Sequence, residues 1–394
     1  MNTRVMRRLD RWLGLLPDYL LTLLVWLLRG RRSSPRKGRV VLVKLFGAGS
    51  VVLMSQVLER FEVDPQDVYL VTFKSNQTAA RLVGFENVVD IRSSGLVGLA
   101  YDYAKAALRL VTEVRPQAVV DFEFYSRTTS VLTKLTSLLS GAHSVGFWDA
   151  DLPRARGYSS FMPFSYATHI TNLYEAGLIA AGLERKPFLD YKASERRGEG
   201  VVPIVLVNPN ASDLALGRRW PEGRFVELIV RLTDRFPDLR IGLTGEAHEA
   251  RTTARIVEEV KRLAPLARVD DFAGKWDFVT FWERLESCLM LLTNDSGPVH
   301  FASYLGVPSV SLWGPGSPHQ FGPLDNRAHR VIWSAFPCSP CMYLRDREPG
   351  GFCGQTFPCM RDIEVETVFE ACSEVIEREM ERLVTHPPSS VALA

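Results

Sequence analysis

Asn294-Asp295-Ser296-Gly297-Pro298-Val299-His300 is the stretch that decides the fold. It follows an apolar run, Cys288 to Leu292, that reads as a buried parallel strand. It precedes Phe301-Ala302-Ser303-Tyr304-Leu305-Gly306, a short amphipathic helix. A strand that turns through Asp-Ser-Gly into a helix presents backbone N–H groups at the positive helix end, which suits an anion such as a pyrophosphate. The plainer reading is that Asp295 and Ser296 only cap the helix, since both are preferred cap residues. The next strand, Ser309 to Trp313, runs into Gly314-Pro315-Gly316-Ser317-Pro318, a second loop of turn residues. Two such loops at the carboxyl ends of adjacent strands are where open α/β sheets bind ligands.

Working outward, the same strand-and-helix alternation runs through most of the chain. Val40 to Val43 is a continuous apolar strand that meets Gly47-Ala48-Gly49-Ser50 and then a helix from Val51 to Phe61. Val68–Phe73, Val88–Ile91, Ala118–Phe122 and Ser144–Phe147 read as further strands, with helices over Leu96–Arg115, Thr129–Leu139 and His169–Gly182. Asp151 to Ser165 reads as a loop. The polar run Ala193 to Gly200 marks a domain boundary. The pattern then restarts with Ile204–Asn208 and continues to the opening segment and a last helix, Glu364 to Leu383. Continuous apolar strands alternating with helices predict parallel sheets covered on both faces. The expected parts are residues 1–37, a basic segment and linker; 38–195, a first Rossmann-like domain; 196–385, a second, with a Cys-rich loop over 338–359; and a disordered tail, 386–394.

Composition bounds the partners. The chain has 394 residues, 46% apolar and 23% charged, with a formal net charge of +2. Residues 1–39 hold ten bases against Asp10 and Asp18, so the rest is mildly acidic. A basic head on an acidic body argues against nucleic acid as the main partner and for phospholipid headgroups. Val5, Met6, Leu9, Trp12, Leu13 and Leu16 recur at helical spacing, and Tyr19 to Leu28 is more apolar still. Pro17 and Asp18 break a run too short to span a bilayer, so an in-plane anchor is favoured over a span. The expected location is the cytoplasmic face of the inner membrane.

Asp-Ser-Gly-Pro-x-His, then Ala302-x-x-Leu305-Gly306-Val307-Pro308-x-Val310, then Gly-Pro-Gly-Ser-Pro together resemble the donor-binding signature of glycosyltransferase family 9, the heptosyltransferase-like enzymes. Asn208-Pro209-Asn210-Ala211-Ser212 with Arg218-Arg219-Trp220-Pro221 is similar to the family segment whose basic residue meets the donor phosphates. The resemblance is strongest over residues 200–325 and continues in pattern from Val40 to Leu183. It implies the GT-B arrangement of two facing Rossmann-like domains. It also implies a nucleotide-sugar donor handled without a catalytic metal and a lipid-linked acceptor such as a lipopolysaccharide core precursor or glycolipid. Arg218 stands where the family commonly has Lys, with Arg219 beside it. Ser212, Asp295, Ser296, Gly297, Pro298 and His300 fall on the donor side. Thr244-Gly245-Glu246-Ala247-His248-Glu249 resembles the Gly-x-x-x-Glu segment that holds the ribose, which puts that role on Glu249, or else on Glu246.

On the acceptor side the chain departs from the family. The best-known members have an Asp after the Gly of the first glycine-rich turn, thought to be the general base; here Gly47 and Gly49 are followed by Ser50. A serine hydroxyl takes no proton unaided at neutral pH. Asp121-Phe122-Glu123 is the substitute, with two carboxylates on one strand face. Glu123 is the expected base and Asp121 its orienting partner; ion pairing with the Arg127 loop is the alternative. Lys44 and Lys275 are further contacts for phosphate or acceptor. Cys338, Cys341, Cys353 and Cys359 cluster among prolines and glycines, as a structural zinc site or as free thiols. Cys288 and Cys372 read as core residues. Two other readings stay open: transfer of a sugar other than heptose, and a membrane-associated nucleotide-sugar-binding or scaffold protein without turnover.

Overall fold

The computed structural model describes residues 14–28, 37–92, 95–124, 126–148, 157–187, 200–211, 213–324, 328–342, 353 and 356–385. Most of the basic head, residues 151–156, the polar run up to residue 199, Ser212 and the tail lie outside the described residues. The chain forms two compact units, Met1–Asp190 and Tyr191–Ala394.

In the first unit, helix α1 (Leu15–Leu28) precedes β1 (Val40–Val43), α2 (Ala48–Leu58), β2 (Val68–Phe73), α3 (Gln77–Leu82), β3 (Asn87–Ile91) and α4 (Leu96–Arg109). β4 (Ala118–Asp121), α5 (Arg127–Ser140), β5 (His143–Trp148), β6 (Ser160–Pro163) and α6 (Ile170–Ala180) follow. All six strands are parallel in the order β3-β2-β1-β4-β5-β6. β1 and β4 are buried at every residue because helices cover both faces. Part of the expected loop over 151–165 is strand β6. It is an edge strand of four residues ending in Pro163, so its turn residues hid it.

The second unit repeats the plan. It runs β7 (Val202–Asn208), a 3-10 turn (Asp213–Arg218), α7 (Glu222–Arg235), β8 (Arg240–Leu243), α8 (Ala250–Leu263), β9 (Arg268–Asp271) and α9 (Phe278–Ser287). Then come β10 (Cys288–Asn294), α10 (Gly297–Leu305), β11 (Ser309–Trp313), α11 (Pro318–Phe321), β12 (His329–Trp333), α12 (Pro358–Arg361) and α13 (Val365–Thr385). The order is β12-β11-β10-β7-β8-β9, again all parallel. Val205, Val207, Phe225, Ile229, Leu292 and Cys372 belong to one core cluster. α13 packs on α7, β10 and β11 of its own unit. Each sheet starts at its centre, builds outward to one side and crosses back to the other. The crossover leaves a crevice at the carboxyl ends of the two central strands, β1 and β4 in one unit and β7 and β10 in the other.

Helix α1 is turned inside out. Gly14, Asp18 and Thr22, spaced by one turn, are buried, while Leu16, Leu20, Leu23, Trp26 and Leu27 are each more than half exposed. The inward stripe packs on α5. Lys134 Nζ, wholly buried, lies 2.6 Å from Asp18 Oδ1 and 2.8 Å from Thr22 Oγ1. Ser130 Oγ donates to the same Asp18 oxygen at 2.7 Å.

Candidate functional site

In the second unit, the crevice is tied together by Asn294, the last residue of β10. Its Oδ1 accepts from Trp220 N at 3.2 Å, and its Nδ2 donates to Pro209 O at 2.8 Å. One side chain thus fixes the loop after β7 and the segment carrying the two arginines. Neither Asn294 nor Asn210 was singled out by the sequence reading, although an Asn ends each central strand region.

Arg218 is brought against the opening stretch. Its Nη1 is 3.5 Å from Asp295 Oδ1, and both side chains are about nine-tenths buried. Its Nε is buried and has no hydrogen-bond partner among the described residues. Burial pushes the Asp295 carboxyl above its ordinary range, and Arg218 works against that rise. Gly316, in the loop after β11, lies against this acid: a Cβ there would stand 2.2 Å from Asp295 Oδ2. Ser296 occupies the N-cap position of α10 but makes no side-chain cap bond; its hydroxyl meets Thr293 Oγ1 at 3.0 Å instead. The plain capping role for Ser296 therefore fails. Gly297 and Pro298 open the helix, and Pro298 carries no N–H to satisfy. His300 is buried one turn in.

Arg219 forms a second cluster. Its Nε and Nη2 donate to Ala211 O at 3.0 and 2.6 Å, and Nη2 lies 3.6 Å from Glu249 Oε1. Glu249 Oε2 accepts from Glu246 N at 2.9 Å in a capping box. Burial raises the Glu249 pKa most; the Glu246 amide, His248 and Arg219 lower it. Gly245 permits the approach of this loop to β7: a Cβ would be 2.6 Å from Asn210 Nδ2. Asn210 Oδ1 is buried without a partner among the described residues. Beside Arg219 opens a cavity of about 500 Å³ whose lining includes Arg224, Phe357 and Arg361. Its arginines suit an anion. Arg224 belongs, with Phe225, to the segment that resembles the family's phosphate-contacting stretch; Arg361 was missed because it lies outside every quoted motif. Ser212 lies outside the described residues.

In the first unit, Glu123 Oε1 accepts from Lys44 Nζ at 2.7 Å, Leu45 N at 2.9 Å and Phe46 N at 2.8 Å. Both charged side chains are buried. Lys44, expected to face phosphate or acceptor, is bound to this acid instead. One carboxylate oxygen of Glu123, the expected general base, thus takes three donors and braces the turn at Leu45 and Phe46. Lys44 is the cation that pairs with it. Asp121 is wholly buried and accepts from Tyr158 Oη at 2.8 Å, Thr129 Oγ1 at 3.1 Å and Glu123 N at 3.0 Å. A carboxylate so enclosed orients its neighbours. The turn so braced contains Gly47, with φ +85°, and Gly49, buried in the first turn of α2. Ser50 N donates to Gly47 O at 3.0 Å. Lys275 Nζ donates to Asp271 O on the surface.

The four loop thiols do not form a metal-ligand group; among the described residues no set of three or more His, Cys, Asp or Glu does. They do sense one another. Burial first, then Cys341, Cys338 and Cys353, push the Cys359 thiol up to about 11. Cys288 and Cys372 are core residues.

Comparison with known proteins agrees with the motifs. Residues 180–350 match the family model of glycosyltransferase family 9 (heptosyltransferase). Lipooligosaccharide heptosyltransferase 2 of Campylobacter jejuni is 25% identical over 181 residues, 44% of this chain and 51% of that protein. Lipopolysaccharide heptosyltransferase 2 of Escherichia coli K12 is 29% identical over 130 residues, 33% of this chain and 36% of that one. The matched stretch thus spans about half the length of the first of these relatives, or less. The fold extends further. Escherichia coli ADP-heptose LPS heptosyltransferase II superposes with a TM-score of 0.61 at 18% identity, covering 87% of this chain and 99% of that one. A glycosyl transferase family 9 protein from Veillonella parvula gives 0.65 at 16% identity, with 88% and 99% covered. The two Rossmann-like units have a GT-B-like fold.

Proposed function

We propose, for a chain whose residues 180–350 match the model of glycosyltransferase family 9, an inverting sugar transferase. It moves a heptose-like sugar from a nucleoside diphosphate sugar to a lipid-linked acceptor of the lipopolysaccharide core type. One observation carries the reading: the buried Nε of Arg218, without a partner among the described residues, beside the start of α10, which has no side-chain cap bond. A buried guanidinium donor without an acceptor is costly in the free protein and is satisfied by a phosphate oxygen. As the bond to the anomeric carbon breaks, negative charge grows on the departing diphosphate. Arg218 and the first amides of α10 stabilise that charge without reorganising. Arg219 positions Glu249, which accepts from the ribose hydroxyls. The acceptor oxygen attacks from the face opposite the leaving group, in a single displacement; its proton passes to an acid of the cleft or to water as the bond to the diphosphate breaks. Glu123 enters as a positioning residue that holds the turn through Leu45 and Phe46.

Calorimetric titration with ADP, UDP and GDP, followed by transfer from the matching sugar nucleotides to a lipid extract, tests this. Wild type should bind one nucleoside diphosphate, and Arg218→Met should lose that binding. If Arg218→Met binds as wild type does, the reading is wrong. Binding without any sugar consumed would favour a nucleotide-sugar-binding protein.

A further inference from the structure

We propose that α1 is a docking helix, fixed in orientation on the first unit, whose outward face lies in the interface of an anionic phospholipid layer. A helix on a protein in water turns its apolar stripe to the core and its polar stripe to solvent. Here the order is reversed. The stripe Gly14, Asp18, Thr22 faces α5, and Leu16, Tyr19, Leu20, Leu23, Leu24, Trp26 and Leu27 face out. The reversal is specified, because α5 presents a matching polar set. Ser130 and Lys134, both wholly buried, converge on one oxygen of Asp18. A buried lysine requires a counter-charge, and turning α1 over in water would take Asp18 away from Lys134. The helix is held with its apolar face exposed.

The occupant of that face follows from length, composition and charge. No helix of the described residues is long and apolar enough to cross a membrane. α1, with 14 residues, lies along an interface rather than through it. Tyr19 and Trp26 are the residue types that settle at headgroup depth. The sequence on either side supplies Arg4, Arg7, Arg8 and Arg11 before the helix and Arg29, Arg31, Arg32 and Arg36 after it. Within these two flanks the only acid is Asp10. Such positive flanks complement anionic headgroups, and they would repel one another across an interface between two copies. The inference stands apart from sugar transfer, since vesicle binding needs no donor.

The test is flotation of the full chain with phosphatidylcholine vesicles containing roughly a third phosphatidylglycerol. The variants are a combined Leu20→Gln, Leu23→Gln, Trp26→Gln and, as a control, Leu266→Gln, an exposed apolar residue of the second unit. Wild type and the control should float. The triple variant should lose about tenfold or more in partitioning while keeping its melting temperature and its nucleotide titration. Flotation of the triple variant at the wild-type level overturns the proposal. So does a vesicle-free dimer of the wild type that the triple variant converts to monomer, with neither protein floating. A change in the nucleotide titration would bear on the transferase reading and leave the flotation result intact.

Discussion

The two crevices occupy the same topological position in two sheets of the same strand order, yet their polar groups are spent differently. In the first unit, Lys44 and the amides of Leu45 and Phe46 close on one oxygen of Glu123, and Asp121 takes three donors of its own. In the second, Arg218 meets Asp295 at 3.5 Å, and among the described residues Arg218 Nε and Asn210 Oδ1 are left over. Buried polar atoms are ordinarily satisfied. A crevice that satisfies them internally is a frame, and one that leaves them open is prepared for a ligand. Fold alone distinguishes neither; the hydrogen-bond accounting does.

The sharpest way to break this contrast is Lys44→Met. It leaves Glu123 buried against two amides without its cation and should cost about 3–5 kcal/mol in chemical denaturation. The double variant with Glu123→Leu should recover part of that loss. If Lys44→Met instead keeps its stability and loses only activity, the first crevice is a site and not a frame. Arg218→Met should do the opposite, lowering transfer by about a hundredfold or more with little change in unfolding midpoint.

A third measurement probes the close approach of the loop after β11. Gly316→Ala places a methyl against Asp295 Oδ2 and should cost about 1–3 kcal/mol and weaken nucleotide binding. Thermal melts and titration of the same variant check both. The smallest effect concerns pH. Burial raises the Asp295 pKa above its usual 3.8, so the folded state binds the proton more tightly than the unfolded one. That contribution is fully present below the unfolded pKa and is lost as pH rises through the folded one. The stability of wild type relative to Asp295→Asn should therefore fall as pH rises from about 3.8 and then level off. A difference that rises with pH over that range would mean Arg218 holds the acid ionised.

What the sequence made legible follows from the same physics. Val40–Val43 and Leu289–Leu292 are buried on both faces, so they stand out as unbroken apolar runs. The turn after the first of them carries Gly47, whose φ of +85° favours glycine. Arg218, Arg219, Asp295 and Glu249 were readable as residue types at loop positions. Their pairing was not, because Arg218 and Asp295 meet only once β7 and β10 become neighbours. Glu123 was read from its place beside Asp121 at a strand end, and its pairing with Lys44, 79 residues away in the chain, was not legible. α1 was misleading in the same way. Its apolar spacing was visible, but the inward face is set by Lys134, which reads as an ordinary helix lysine until it is found buried.

That lysine has a practical consequence for shortening the protein. An apolar leading helix invites removal to improve solubility. Here the cut would take away Asp18 and Thr22 and strand Lys134 between Gly157 and Tyr158, where its Nζ stands 5.2 Å from the Tyr158 ring centre. Tyr158 in turn holds Asp121, and Asp121 holds the backbone of Glu123. A trimmed chain would be expected to gain solubility and lose the frame beneath its first crevice, so its inactivity would say nothing about lipid.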